Sequence, residues 1–537
     1  MLMGTNGQAT GPDLSDGVRI EDIPDGGTLS GRAGEFPVLL SRFGDQLFAI
    51  SGTCTHYGAA LADGLLDGKF VRCPLHHACF DLRTGEALRA PALDPLDRWR
   101  VEIVGDMAFV RDRIKAGAES SERVPADVGR VVIIGGGAAG LACAHELRKL
   151  GHRGAITMLS ADGDAPCDRP NLSKDYLAGT APAEWLPLRS DDWYEANGID
   201  LRLGVEVDRV DPVERRILTA ARERIDYDRL LLATGSEPNR LRSPGFDGDT
   251  VFTLRSMSDA ATIGAAAKPG ARAVIVGSSF LGLEAAAALR QRGVEVTIVS
   301  PEHVPFERTF GAEVGRTLQR LHERNGVRFR LGTVAASYDG RTVKLANGTS
   351  ADADFVLVAI GVRPRVRLAE AMGIRSEGGV PVNAHLETCH PGVFAAGDIA
   401  AYPDPRTGEP VRIEHWVTAE RQGQVAAANM LGHRRRFDAV PFFWTEQFGV
   451  ALRYVGHAPG WDKVEIDGDI DVGDFIARYS LDGEHRASVA SGRDLAILED
   501  ERLFERRNVQ ALSTCREPRR TDDIESGATR AEASGGV

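Results

Sequence analysis

The sequence predicts a multidomain chain: an all-β module first, two α/β modules after it, and a smaller α/β module at the C-terminal end. Three observations carry this reading. Val131-Val132-Ile133-Ile134 runs into Gly135-Gly136-Gly137-Ala138-Ala139-Gly140 and then a helix-like stretch, Leu141 to Leu150. Strand, G-x-G-x-x-G and helix make the dinucleotide-binding turn of Rossmann-like folds. A second such turn begins about 140 residues later, at Val274-Ile275-Val276-Gly277. Upstream of both, Cys54-x-His56 and Cys73-x-x-His76 stand in a stretch of short β segments.

Composition narrows the classes. At 537 residues the chain exceeds one core, and roughly 100–200 residues per domain suggests three to five domains. Hydrophobic content of 43% and charged content of 26% are ordinary for a globular chain. A formal net charge of -13 argues against nucleic acid as a partner, because phosphate binding needs basic surface. No uninterrupted apolar run approaches the roughly 20 residues of a membrane span. Met1 to Asp25 lacks a basic n-region and an apolar h-region, so no secretory signal is expected. The seven cysteines are scattered and odd in number, a poor disulfide framework, which points to a reducing, cytoplasmic location.

From Val18 to about Arg113 the chain reads as β. Pro37–Arg42 and Gln46–Ile50 flank a hairpin turn at Phe43-Gly44-Asp45, and Arg98–Val104 and Met107–Arg111 repeat the pattern around Gly105-Asp106. Two Cys-His pairs could suit zinc, but C-x-H is tighter than zinc-finger spacing. C-x-H, 16 residues, then C-x-x-H is the pattern of a Rieske [2Fe–2S] cluster, in which two thiolates hold one iron and two imidazoles the other. Neutral histidines reduce the cluster's negative charge. They raise its potential to roughly -150 to +300 mV, against about -400 mV for plant-type clusters. The metal ligands are therefore expected to be Cys54, His56, Cys73 and His76. Pro91 and Pro95 would stiffen a loop over the cluster. His77 is expected to face solvent, and Cys79 to be a packed free thiol.

In the first α/β module, Gly135 permits the sharp turn. Gly137 lets the backbone approach a pyrophosphate, and Gly140 lets helix and strand pack closely; the helix N-terminus attracts the phosphate charge. The ribose-binding acid expected about 20 residues on is Asp162, with Ser160 able to share the role. Leu231-Leu232-Ala233-Thr234-Gly235 resembles the return strand of a flavoprotein's FAD domain. In the second turn Gly277 and Gly282 flank Ser279, which stands where a middle glycine is usual. The strand Val294–Val299 ends in Ser300-Pro301-Glu302, and an acid there favours NADH over NADPH. Phe355 to Gly361 echoes the earlier return strand. Val393-Phe394-Ala395-Ala396-Gly397-Asp398 suits an aspartate that bonds the ribityl chain of FAD.

Together these motifs resemble the FAD-dependent pyridine-nucleotide oxidoreductases, and more closely the ferredoxin reductases of oxygenase systems and the Rieske-bearing branch of the apoptosis-inducing-factor-like family. Asp168-Arg169-Pro170-Asn171-Leu172-Ser173-Lys174 looks like the family's D-R-P-x-L-S-K segment, whose Arg and Lys lie against the flavin; Cys167 replaces the usual aromatic before it. Phe280-Leu281-Gly282-Leu283-Glu284 matches a stretch whose Phe and Glu approach the isoalloxazine. Glu414-His415-Trp416 and Phe443-Trp444 match further segments near the ring.

The resemblance implies a multidomain fold in which an all-β Rieske domain precedes two α/β Rossmann-like nucleotide-binding domains, for FAD and NAD(P)H, and a C-terminal α/β reductase domain. The expected boundaries are 1–16 for a flexible tail, 17–113 for the Rieske domain and 114–129 for a linker. A discontinuous FAD-binding domain takes 130–250 and 365–438, and the NAD(P)H-binding domain 251–364. The C-terminal domain takes 439–512 and a disordered tail 513–537.

The expected activity is hydride transfer from NADH to FAD, then single electrons to the cluster and on to an acceptor protein such as an oxygenase, with Lys174 and Glu284 paired beside the flavin. A redox-gated interaction protein and a self-contained reductase of oxygen, a quinone or nitrite are the other readings. Homo-oligomerisation is compatible with the sequence.

Overall fold

Continuous apolar runs become strands covered on both faces, and alternating runs become strands covered on one. The computed structural model describes residues 11–116 and 127–514. Expectations for residues 1–10, 117–126 and 515–537 lie outside the described residues.

The N-terminal module is wholly β apart from single 3₁₀ turns. A six-stranded antiparallel sheet runs in the order 18–19, 107–114, 98–104, 46–51, 36–43, 27–33. A four-stranded sheet of 65–67, 70–72, 79–81 and 87–89 packs beside it and carries the second ligand pair at one end. Both predicted hairpins form, with Phe43 opposite Gln46 and Val104 opposite Met107. Asp13 and Leu14, expected in a flexible tail of 1–16, belong to the β module instead. Leu14 is fully buried, and Asp13 bonds Arg32 at 2.7 Å, because Leu14 completes the core under Val38, Leu40 and Trp99.

The next module is a parallel sheet in the order 199–202, 156–159, 131–134, 229–232, 393–395. All four residues of Val131–Ile134 are buried, as a central parallel strand requires. The helices Ala138–Lys149 and Trp416–Met430 pack on it and on each other. The second nucleotide module repeats the plan, in the order 251–252, 355–358, 272–276, 295–300, 328–331. The C-terminal module is an antiparallel sheet of 442–447, 450–456, 484–491, 474–481 and 463–469, backed by the helix Asp494–Thr514. Among the described residues no helix is long and apolar enough to cross a membrane.

The β module sits on both the first α/β module and the C-terminal helix. Arg72 reaches Glu505 at 2.7 Å, Arg189 grips Asp94 with bonds of 2.7 and 2.9 Å, and Arg453 donates to the Leu75 carbonyl at 3.0 Å. His77 belongs to this joint, which overturns the expectation of a solvent-facing side chain. It is 1% exposed and its Nδ1 lies 2.7 Å from Glu501. Its backbone takes φ +62, and the cost of that left-handed conformation is offset by the buried ion pairs around it.

Candidate active site

A cavity of about 880 Å³ opens at the carboxyl ends of the first parallel sheet, where doubly wound folds bind nucleotides. Gly135, Gly137, Ala138 and Ala139 line it, with Asp162, Arg169, Ala233, Thr234, Gly235, Gly397, Asp398 and Trp416. Gly135 has φ +121, and a Cβ there would stand 2.0 Å from the Ala233 carbonyl. Gly140 lies beneath the turn, where a Cβ would meet the Gly135 carbonyl at 2.0 Å. Gly277 and Gly282 repeat both contacts in the second turn, each at 2.2 Å. A Cβ at Gly137 would meet nothing closer than 3.7 Å, so the middle position faces open space and the second turn tolerates Ser279.

FAD fits this cavity on the chain's own terms. The helix Ala138–Lys149 starts at Gly137 with no side chain capping its first amides, which leaves donors for a pyrophosphate. Asp398 sits across the cavity, bonded by Ser236 and by Arg255 Nη2 at 3.2 Å. Asp162 accepts from Arg169 Nη2 at 2.8 Å, so the expected ribose acid and the expected flavin arginine are partners. Arg255 was not among the expected site residues, since a lone arginine before a helix carries no motif.

Lys174 and Glu284 come from separate modules and meet at 2.8 Å. Glu284 also accepts from Ser173 Oγ at 2.5 Å and Thr445 Oγ1 at 2.6 Å, so both its oxygens are occupied although it is 7% exposed. Phe280 packs against Phe306 and Phe443, at centroid distances of 4.7 and 4.6 Å, and Phe443 against His415 at 4.5 Å. Burial pushes the His415 imidazole down to about 3, so it is neutral. Glu302, at the end of the strand Glu295–Ser300, is bonded by Ser300 Oγ, which accepts from Ser278 Oγ at 2.8 Å. Gly361 takes φ +83 just before the short strand that joins the second nucleotide module back to the first.

The four expected metal ligands come together as two pairs. Cys54 and Cys73 are both buried and close enough for each to shift the other's thiol, and the His56 amide donates to Cys54 Sγ at 3.5 Å. Nδ1 of His56 and Nδ1 of His76 face each other at 3.1 Å. Burial lowers both imidazoles, His56 to about 3, so each is in the neutral form that ligates. Among the described residues no three His, Cys, Asp or Glu side chains converge as on a single ion. Two ligands plus two is what a binuclear cluster takes, and amide donors to sulfur suit bound thiolates. Cys79 is buried and unpaired.

Two aromatic side chains pack on the ligand histidines. Trp444 does not line the cavity; its ring packs at 4.1 Å on His76. Tyr57 stacks on His56 and bonds Asp168, the first residue of the segment that supplies Arg169 and Lys174. Tyr57 escaped the sequence reading because its partner is 111 residues away.

Fold and site together define a flavoprotein reductase with two nucleotide modules and a fused iron–sulfur module. Residues 129–423 match the pyridine nucleotide-disulphide oxidoreductase family, and residues 17–100 match the Rieske [2Fe-2S] domain. The chain belongs to that oxidoreductase family and carries a Rieske domain at its N-terminal end; its cofactors are FAD, NAD(P)H and a [2Fe–2S] cluster. It is 36% identical over 491 residues to apoptosis-inducing factor 3 of Homo sapiens, a match covering 88% of this chain and 80% of that one. It is 35% identical over 373 residues to the ferredoxin--NAD(+) reductase component of the anthranilate 1,2-dioxygenase system of Burkholderia cepacia, covering 68% of this chain and 91% of that one. A solved covalent putidaredoxin reductase-putidaredoxin complex superposes with a TM-score of 0.68 at 31% identity, over 71% of this chain and 93% of the matched chain.

Proposed function

We propose that the chain carries electrons from NADH through FAD to its own Rieske cluster, and from there to a separate acceptor protein of the kind that serves an oxygenase. When bound, FAD accepts electrons as a pair and releases them singly, which matches the one-electron capacity of the cluster. The residues divide the remaining work. Uncapped amides at Gly137–Gly140 receive the pyrophosphate. Lys174, held by Glu284 and by the Pro170 carbonyl at 2.9 Å, places a positive charge at the junction of the two nucleotide modules. Glu302, oriented by Ser300, presents a carboxylate to a ribose diol and repels a 2′-phosphate, which favours NADH.

The observation that carries this reading is the facing of ligands and cavity. His76 touches Trp444, and His56 touches the flavin loop through one residue, Tyr57. The chain also lacks any C-x-x-C pair to receive electrons beside the flavin. Covalent linkage raises the effective concentration of the cluster above that of a free carrier. Dioxygenase-system reductases among the relatives support a protein acceptor downstream.

Anaerobic titration of the loaded protein with NADH, followed by absorbance and EPR, tests this. Flavin bleaching should be followed by a reduced Rieske EPR spectrum, and NADPH should act more slowly. An iron centre that stays oxidised after excess NADH has bleached the flavin would overturn it.

A further inference from the structure

We propose that Tyr57 is a positioning residue for the internal electron transfer: it locks the cluster ligands to the flavin loop and packs on both histidine ligands. This rests on the electron route proposed above. The Tyr57 ring lies parallel to His56, with centroids 4.0 Å apart and planes 9° apart. The same ring stands edge-on to His76 at 5.2 Å and 88°. Tyr57 therefore touches both imidazoles, whereas Trp444 touches one. Its hydroxyl donates to Asp168 Oδ2. Asp168 is fixed in turn, its amide donating to the Leu186 carbonyl at 2.8 Å and its carbonyl accepting from the Asn171 amide at 3.2 Å. The next residue, Arg169, lines the nucleotide cavity, and six residues on Lys174 pairs with Glu284.

The physical case has two parts. A hydrogen bond between modules holds their spacing, and small displacements of reacting groups are expensive in rate. A ring packed on both ligand rings fills space on the cluster side of the route. With both cofactors bound, each event would move one electron from reduced flavin to the oxidised cluster, and the proposed acceptor protein would reoxidise the cluster between the two events. No covalent bond changes at this chain's residues, Tyr57 keeps its proton, and the proton lost by the reduced flavin over two events passes to water.

The test uses full-length loaded protein with Tyr57→Phe, which keeps the ring and loses the bond to Asp168, and Tyr57→Leu, which loses both. Stopped-flow mixing with NADH should show unchanged flavin bleaching. Cluster reduction should slow by about tenfold in Tyr57→Leu and by less in Tyr57→Phe. Dithionite-reduced clusters should keep their EPR g-values and midpoint potentials. Backbone amide exchange over residues 54–60 and 166–172 should rise in Tyr57→Phe with or without cofactors, since the joint opens locally.

Wild-type cluster reduction in both variants would overturn the proposal. So would slowing fully accounted for by a shifted midpoint potential. If Tyr57→Leu fails to hold its cluster, the rate and exchange of Tyr57→Phe decide alone. If the wild-type cluster is not reduced by NADH, the electron route fails; unchanged amide exchange in Tyr57→Phe then also removes the joint.

Discussion

Lys174 and Glu284 sit 110 residues apart and meet through the packing of two modules, yet each was legible from the short motif around it. Both were expected from a resemblance of these short segments to a family of flavoproteins, and the structure brings the two side chains to 2.8 Å. Their partners Ser173 and Thr445 show what motif reading misses, since a hydroxyl is conspicuous only once a carboxylate faces it. A buried pair invites a purely structural explanation, because breaking one is costly in itself. Lys174→Ala separates the two roles: stopped-flow bleaching of the flavin by NADH should slow by about tenfold, beyond any loss of thermal stability. An unchanged bleaching rate with a lowered melting temperature would leave the pair a structural role only. His77 marks the opposite case. Nothing local distinguishes a surface histidine from one that a distant helix will cover, and Glu501 does the covering from 424 residues away.

Two helices bring buried carboxylates whose environments act in opposite directions. On Trp416–Met430, burial and the nearby Asp168 push the Glu420 carboxyl well above its usual range, and its Oε2 has no hydrogen-bond partner. A carboxyl raised by folding gives its full contribution below the ordinary glutamate value of about 4.3 and loses it as pH rises towards the folded value. Glu420→Gln should therefore melt at a higher temperature than wild type at pH 8, with the gap closing as the pH falls to about 4; an equal melting temperature at both would refute it.

On Asp494–Thr514, burial alone would raise Glu501. His77, Arg421 at 3.1 Å and Arg72 at 3.8 Å outweigh it and hold the carboxyl well below the usual range. Its contribution is present above about pH 4.3 and is lost as pH falls through the depressed folded value. Glu501→Gln should lose about 3 kcal/mol at neutral pH in denaturant unfolding. Its stability should fall less steeply than wild type below about pH 4. No sequence motif singled out either helix, and the partners of the two carboxylates come from other modules, beyond the reach of local spacing.

At the scale of the molecule, the cluster module is part of one packed body with the reductase rather than a free carrier on a linker. Arg72, Arg189, Arg421 and Arg453 reach across the joint to carboxylates or carbonyls, with Asp94 held by two bonds. Arg72, Arg421 and Arg453 are almost fully buried, and buried pairs are screened little by salt. Reduction of the cluster by NADH should therefore be first order and independent of protein concentration. Its rate should hold from about 0.05 to about 0.5 M salt. Delivery to a separate acceptor should weaken over the same range, as encounters between charged surfaces do. Stopped-flow measurements at several protein and salt concentrations check both. A rate that rose with protein concentration would mean that clusters are reduced between molecules.

What the amino-acid sequence determined by itself was the list of parts: a Rieske domain, a pyridine-nucleotide oxidoreductase region with two glycine turns, and the cofactors these imply; the acid, lysine and aromatic positions expected beside a flavin follow from the same short motifs as a proposal. These are legible because each is built from neighbours along the chain, within reach of a single turn or ligand loop. Tertiary structure alone decided how the parts face one another. Tyr57 against Asp168, His77 under Glu501 and Trp444 on His76 are contacts between segments hundreds of residues apart or in different modules. Such contacts are set by how whole modules bury their surfaces together, and local spacing carries no record of that.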